Sequence, residues 1–278
     1  MPPELTRKAG GLKRDPKDDR DKPFQILKGA LKAASADRSD HIIEEKTPLS
    51  DQIDTNTCAA NASMDSFEIV LGLAGKAVVQ LSRLFAYWIA RLAEGMTDFD
   101  QGTCLRDVFK QINQVGVCTE DKWPFQPHDR VAVAAVQKER IFAPPPESCF
   151  MEADSNKVTG YYSIQTADSS RLVDIETAVR ANHPVVFGTA VTTAFERYAG
   201  QDLVVGPPGN QNDITGLHAM VVTGVRWRNG ARQFLWRNSW GGSWGLNGHV
   251  WVTDTYMTFS ETSDLWVPTN IDPILIAA

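Results

Sequence analysis

The stretch DQIDTNTCAANAS, residues 51–63, places a cysteine at the point where a helix is predicted to begin. Cap-forming residues 55–57 precede Cys58, and apolar residues recur at spacings of three and four from Phe67 to Leu81. The positive end of a helix favours a thiolate, so this position predicts a lowered thiol pKa. Gln52, six residues earlier, supplies an amide donor. A cysteine at a helix start is also common as a small buried residue, so this stretch alone leaves both interpretations open.

Two further stretches carry polar side chains beside apolar strands. TGLHAMVVTGV, residues 215–225, begins with His218 after a Pro/Gly-rich loop, and WRNSWGGSWGLNGHVWV, residues 236–252, holds Asn238 before a Gly/Trp-rich turn. A lone histidine or asparagine in such a place is more often structural. The occurrence of all three stretches in one chain, in this order, is far more specific than any one of them.

The periodicity changes halfway along the chain, which predicts an α+β architecture with two lobes. The first half reads as helical, and the second half as strands separated by Gly- and Asn-containing turns. The predicted helices span residues 58–81, 82–92, 103–116 and 172–181. The predicted strands span residues 158–164, 185–187, 219–225, 233–237 and 249–252.

Charge is unevenly distributed over the 278 residues, which carry 28 basic and 34 acidic side chains and a net charge of −6. Residues 1–46 are rich in both signs and have Phe24 as their only aromatic residue, so we expect this extension to be partly disordered and to bury little apolar surface. The acidic remainder argues against nucleic-acid binding. The apolar run 67–92 is interrupted by polar side chains that include Lys76, Gln80, Arg83 and Arg91, so no membrane span is predicted.

The three stretches together resemble the papain-like cysteine peptidases, and more closely a bacterial branch of that family. The resemblance rests on Gln-(x5)-Cys at a helix start, a histidine leading an apolar strand, and Asn-Ser-Trp-Gly-x-Ser-Trp-Gly. It implies an α+β papain-like fold, a helical first lobe, a β-rich second lobe and an active-site cleft between them. The implied organisation is an extension over 1–46, a peptidase domain over 47–268 with its lobes divided near residue 150, and a tail over 269–278.

The resemblance also implies a role for each polar residue. Cys58 is expected to attack the peptide carbonyl as a thiolate, with His218 as its imidazolium partner. Asn238 is expected to orient the imidazole, with Trp240 shielding that contact from water. Gln52 and the Cys58 backbone N–H are expected to bind the oxyanion. The partner is then a peptide or protein substrate, and neither a cofactor nor a metal ion is expected.

Several departures from the family pattern keep alternatives open. Where the family has Cys-Gly-Ser-Cys-Trp, this chain has Thr55-Asn56-Thr57-Cys58-Ala59, which removes one disulfide and puts close approach of a substrate backbone in doubt. A transpeptidase or acyltransferase would use the same thioester, and a non-catalytic binding module would use the same fold. We expect the other thiols, Cys104, Cys118 and Cys149, to be reduced structural residues.

The amino terminus shows neither an apolar signal-peptide core nor the helical repeat of a long inhibitory propeptide. The default expectation is therefore a cytoplasmic protein, although export without a leader leaves no mark in a sequence. A short amino-terminal tail could still lie in the cleft as a plug. The sequence makes no prediction of oligomeric state.

Overall fold

The computed structural model of the chain describes residues 9–31, 38–75, 79–125, 140–201 and 203–271. Helices and strands are numbered here in chain order within those ranges. The helices are α1 (Phe24–Lys28), α2 (Cys58–Leu73), α3 (Arg83–Glu94), α4 (Leu105–Gln114), α5 (Glu147–Ala153), α6 (Asp168–Arg180), α7 (Thr193–Glu196) and α8 (Asp254–Met257). The strands are β1 (Leu12–Lys13), β2 (His41–Ile42), β3 (Thr103–Cys104), β4 (Val158–Ile164), β5 (Val185–Thr192), β6 (Ile214–Arg228), β7 (Ala231–Arg237), β8 (His249–Thr253) and β9 (Ser263–Ile271).

Helix α2 is the central helix and is buried over almost its whole length, from Cys58 to Gly72. A helix that is enclosed on all sides lacks a polar outer face, which explains its long run of small and apolar residues. Helix α3 begins where Ser82 accepts a hydrogen bond from the Phe85 N–H and ends at Gly95 in the left-handed conformation. The helical pattern that looks nearly continuous in the sequence is therefore divided into α2, which ends at Leu73, and α3, which begins after Ser82.

An antiparallel seven-stranded sheet forms the second half, in the order β4-β9-β5-β6-β7-β8 with β2 paired to β6. Strand β6 is central, and its register places His218 opposite Thr189 of β5. Strand β7 lies on the other side of β6 and ends at Arg237, so Asn238 leaves the sheet beside the strand that carries His218. The sheet thus brings the second and third sequence stretches together.

Two hydrophobic cores hold the fold together, one under the helices and one under the sheet. The first contains side chains of α2, α3 and α4, with Phe109 stacked on Trp266. The second contains the sheet face with α6 and an aromatic cluster around Phe195 and Trp236. The fold is α+β, as predicted. The division of the lobes near residue 150 stays a prediction.

The amino-terminal extension differs from its expected character. Leu12, Phe24 and Ile43 are 4%, 0% and 1% exposed, so the described part of residues 1–46 does contribute to the cores. The expectation of little apolar burial was therefore wrong, because composition alone does not show which few apolar residues meet a groove. Residues 1–8 and 32–37 lie outside the described residues, so the expected partial disorder stays a prediction there.

The chain's carboxyl end also corrects a predicted boundary. Strand β9 continues past residue 268 to Ile271, whose backbone pairs with that of Val158. The expected tail therefore begins no earlier than residue 272, outside the described part of the chain. In the same described ranges, no helix is both long and apolar enough to cross a bilayer.

Candidate active site

Cys58 is the first residue of α2, and its side chain is fully buried. The backbone N–H groups of Ala59 and Ala219 lie near enough to its sulfur to act on the pKa of the thiol. Because Ala219 directly follows His218 in β6, the start of the central helix lies beside the strand that carries the histidine. The structure therefore brings together the two residues that the sequence separates by 160 positions.

His218 is held by Asn238, as the sequence predicts. Its Nε2 lies 2.8 Å from Asn238 Oδ1, which also accepts a hydrogen bond of 2.8 Å from the Ser239 N–H. Since Oδ1 faces a backbone donor, it must be the acceptor toward the ring, so Nε2 carries the hydrogen. His218 Nδ1 is buried and has no hydrogen-bond partner among the described residues. That nitrogen is the one left to take a proton.

Trp240 covers the His218–Asn238 contact. Its ring stacks on the imidazole at 4.5 Å between centroids and 22° between planes, and its side chain is 1% exposed. A wall of this kind keeps water from competing for the Asn238 hydrogen bond. The stacking agrees with the shielding position that the resemblance implies.

Gln52 is fully buried beside the segment that follows Asn238. Its Oε1 accepts a hydrogen bond of 2.6 Å from Ser239 Oγ, and its Nε2 donates one of 2.9 Å to the Thr55 carbonyl. Its backbone N–H donates to the Ser239 carbonyl at 2.9 Å. These bonds fix the amide orientation and turn its nitrogen toward the residues just before Cys58.

Residues 9–15, called here the strap, bridge the two walls of the cleft. On the sheet side, the Gly10 N–H donates to the Leu217 carbonyl at 2.9 Å, directly before His218. On the helical side, β1 pairs with β3, and the Gly11 carbonyl accepts from the Thr103 N–H at 3.2 Å. The strap thus lies against the segments that come directly before His218 and Cys58, which is the position that a plug of the cleft would take.

Gly11 lies against the residues that replace the usual glycines before the cysteine. A side chain there would place its Cβ 2.4 Å from the Asn56 carbonyl oxygen, a distance that no Cβ can adopt. The Asn56 amide turns away from the strap and donates to the Asp100 carbonyl. Close backbone approach is therefore possible without glycine at 56, because the side chain has another partner.

Burial of the site shifts the pKa values of Cys58 and His218 in the directions opposite to those expected for a thiolate–imidazolium pair. Removal from water raises the pKa of the Cys58 thiol to about 11, although three backbone N–H groups act in the opposite direction. The same cause lowers the pKa of His218 to about 4, against the hydrogen bond to Asn238. Burial therefore acts against the charged forms of both groups, and so against the expected thiolate–imidazolium pair.

Acidic residues that the sequence analysis missed surround the strap. Lys13 Nζ lies 2.7 Å from Glu94, and Arg14 Nη2 lies 2.8 Å from Glu261. The sequence feature that could have indicated these ion pairs is the run Gly-Gly-Leu-Lys-Arg at 10–14, in which two basic residues follow two glycines and an apolar residue.

One group of potential metal ligands lies beside the strap. Glu94, Cys104 and Asp107 place one ligand atom each within 4.8 Å of one another. The Lys13 ammonium already supplies a cation to Glu94 there. All four cysteines of the chain are free and buried.

Comparisons with known proteins agree with this architecture. The family model of papain family cysteine proteases matches residues 34–264. An uncharacterized peptidase C1-like protein of Acanthamoeba polyphaga mimivirus is 30% identical over 81% of this chain and 71% of its own length. Xylellain, a cysteine protease from Xylella fastidiosa, superposes with a TM-score of 0.76 at 24% identity, over 98% of this chain and 100% of its own. Procathepsin B S9 from Trypanosoma congolense gives 0.68 at 15% identity, over 94% and 86%.

The fold and the buried Cys–His–Asn arrangement define a papain-like cysteine peptidase. The family match extends over most of the chain, and the chain belongs to the papain family of cysteine proteases.

Proposed function

We propose that the chain hydrolyses peptide bonds through a thioester on Cys58, with His218 as the proton carrier. The observation that carries the proposal is the connection of the two residues within one buried site. The Cys58 sulfur lies near the backbone N–H of Ala219, the residue after His218, and His218 presents a buried Nδ1 without a described partner while Asn238 holds its other nitrogen. This geometry fits an acyl-transfer nucleophile with an oriented base.

The reaction follows from these positions once a peptide replaces the strap. Nδ1 takes the thiol proton, sulfur adds to the carbonyl carbon, and the imidazolium then protonates the departing amine. Water, deprotonated by the same nitrogen, hydrolyses the thioester and regenerates the thiol. The amide of Gln52 and the Cys58 N–H stabilise the oxyanion, and one such donor is worth about 3 kcal/mol.

The strap makes the described state a latent one. It fills the space between Asn56 and Leu217, so a substrate reaches Cys58 only after the strap has left the cleft. Water and substrate then enter, and the burial that acts against the charged forms of Cys58 and His218 is reduced. Opening of the strap therefore both admits the substrate and favours the reactive ion pair.

Two measurements test the proposal. A peptidyl epoxide should attach to Cys58 and to no other cysteine, as mapped by mass spectrometry of the digested protein. Incubation of a model peptide with and without a primary amine then separates the acceptors, since a hydrolase releases mainly the free acid and a transferase mainly the amide. A stable chain that neither reacts with the epoxide nor cleaves any peptide, even when Gly11→Val keeps the strap from seating, would be a non-catalytic binding module.

A further inference from the structure

Two buried cysteines of the helical half lie beside each other, and the proposed reaction uses neither of them. Cys118 follows α4 along the chain, and Cys149 lies within α5. Both side chains are 0% exposed and belong to the core under the helices. The structure shows both as free thiols.

The chain that follows α4 runs along one face of α5. The Thr119 N–H donates to Glu152 Oε1 at 2.8 Å, and a side chain at Gly116 would place its Cβ 1.7 Å from the Ala153 carbonyl oxygen. Glu152 and Ala153 come three and four positions after Cys149, which is the spacing that places residues on the same side of a helix. Cys149 therefore lies on the face of α5 that this chain segment covers, one turn before the two contacts.

Backbone hydrogen bonds hold Cys118 in this contact. The Val117 N–H donates to the Asn156 carbonyl, and Asn156 Nδ2 donates to the Val117 carbonyl, both at 3.0 Å. The Cys118 carbonyl itself accepts from the Ser82 N–H at 2.9 Å. The residues on either side of Cys118 are thus fixed to α5 and to the loop after it, so the thiol has little freedom to move away from α5.

The two thiols lie near enough to act on each other. Burial raises the pKa of both, Cys149 raises the pKa of Cys118 further, and Cys118 acts to lower the pKa of Cys149. A disulfide needs Cβ atoms about 3.5–4.5 Å apart, which only neighbouring backbones supply. Contacts between the two backbones and between the two thiols both meet that need.

We infer that Cys118 and Cys149 form a disulfide bond that ties α5 to the chain after α4. The sequence analysis predicted reduced thiols here, because a separation of 31 positions does not show which cysteines meet in the fold. The inference concerns a site separate from Cys58 and does not rest on the proposed function.

A small-molecule disulfide serves as the oxidant. One cysteine thiolate attacks it, which breaks its S–S bond, forms a mixed disulfide and releases one small thiol. The second cysteine thiolate then attacks the mixed disulfide at the protein sulfur, forms the internal bond and releases the other small thiol. Two protein thiols are oxidised, the oxidant is reduced by two electrons, and its two thiols carry away the two protons.

Full burial decides when this bond forms and what it does. Buried thiols with raised pKa values react slowly in the folded chain, so oxidation takes place mainly during folding. The same burial then shields the closed bond from reductants. The bond closes a loop of about 30 residues and so restricts the unfolded chain, which should raise the melting temperature by about 4 to 10 °C.

Peptide mapping of the full-length chain tests the inference. One sample is unfolded in urea and refolded with oxidised and reduced glutathione, a second is refolded with dithiothreitol, and a third stays folded during a long incubation with the same glutathione mixture. After alkylation of free thiols, trypsin places the four cysteines on separate peptides, because Lys or Arg residues lie between them. We expect the peptides 111–122 and 141–157 to be joined in the glutathione-refolded sample, which should also melt higher than the dithiothreitol sample.

Two variants show which thiols are responsible. Cys149→Ala should lose both the linkage and the difference in melting temperature. Cys104→Ala removes a buried thiol that bonds to the strap, and as the matched control it should keep both. Absence of the 118–149 linkage from both the refolded and the long-incubated samples, or a linked chain that melts no higher than the reduced one, would overturn the inference. Neither readout depends on peptide cleavage, so failure here leaves the proposed function standing.

Discussion

The polar residues of the site have unequal roles, and their substitution should rank them. Gln52→Ala removes one oxyanion donor and should lower turnover by about 10² to 10³. His218→Ala should be worse, because the thiol loses its base and the leaving amine its acid. Asn238→Ala should be milder, since Asn238 orients the ring without carrying the proton. Turnover of a fluorogenic peptide, measured beside circular dichroism, gives the ranking His218, Gln52, Asn238.

The folded state is the control for that series. None of the three side chains is part of the hydrophobic cores, so the spectra should match that of the native chain. If His218→Ala kept near-native turnover with an unchanged spectrum, another group would be the base.

At the residue scale, the sequence could predict that Cys58, His218 and Asn238 lie together because their order along the chain is specific, and the structure places them near one another. It could not predict their ionisation. A helix start lowers a thiol pKa, but complete burial raises it more, and the segments packed around this site include a strap 43 to 49 residues earlier in the chain. Local position is visible in a sequence, whereas desolvation depends on what packs over the site.

The strap is the element that we propose to control access, and Gly11 is a position where it tolerates no side chain. Gly11→Val should prevent the strap from seating against Asn56. The rate of Cys58 alkylation by iodoacetamide at pH 7 should then rise by about tenfold or more, because both exposure and the thiolate fraction increase. Gly209→Val, in a surface loop with open space around it, is the matched control. Unchanged alkylation in Gly11→Val would mean that the strap does not limit access.

The strap's attachment should depend on pH through Asp15. Burial and the nearby Asp264 carboxylate raise the pKa of Asp15 to about 7, although Asp15 accepts hydrogen bonds from the Arg106 N–H and the Trp266 indole. The folded chain therefore holds this proton more tightly than the unfolded chain. The stability that Asp15 contributes is fully present below about pH 4 and is lost as the pH rises through 7.

Asp15→Asn should remove that dependence. Between pH 5 and pH 8, the native chain should lose about 2 to 3 kcal/mol of unfolding free energy relative to the variant. Urea denaturation of both proteins at the two pH values measures the difference. Identical pH dependence in the two proteins would show that Asp15 does not hold a proton in the folded state.

At the element scale, local patterns predicted the interior of the fold better than its ends. Strand 158–164 has the predicted bounds, since its alternation is local. The helix predicted over 103–116 begins in the structure at Leu105, two residues later than predicted, because Thr103 and Cys104 form a strand that pairs with the strap. The helix predicted over 58–81 ends at Leu73, before the chain turns into α3. Where a helix or strand ends therefore depends on contacts with segments distant in sequence, which a local pattern does not show.

Across the whole molecule, a buried ion network joins the helical half to the sheet. Arg237, 1% exposed at the end of β7, binds Asp65 of α2 at 3.1 Å and also Glu45 of the extension. Arg237→Met would leave both carboxylates buried without this partner, and should lower the unfolding free energy by about 3–5 kcal/mol. Arg228→Met breaks an exposed pair with Asp40 and should cost less than about 1 kcal/mol. Urea denaturation separates the two variants, and equal losses would contradict a special role for the network.

The central claim is that this papain-family chain cleaves peptides with Cys58 beneath a removable strap. The most direct measurement is the initial rate of fluorogenic peptide hydrolysis by the native chain, by Gly11→Val, and by Gly11→Val combined with Cys58→Ala. We expect a higher rate for Gly11→Val than for the native chain, and no hydrolysis by the double variant. Hydrolysis that persists without the Cys58 thiol, or a folded Gly11→Val chain no faster than the native one, would contradict it.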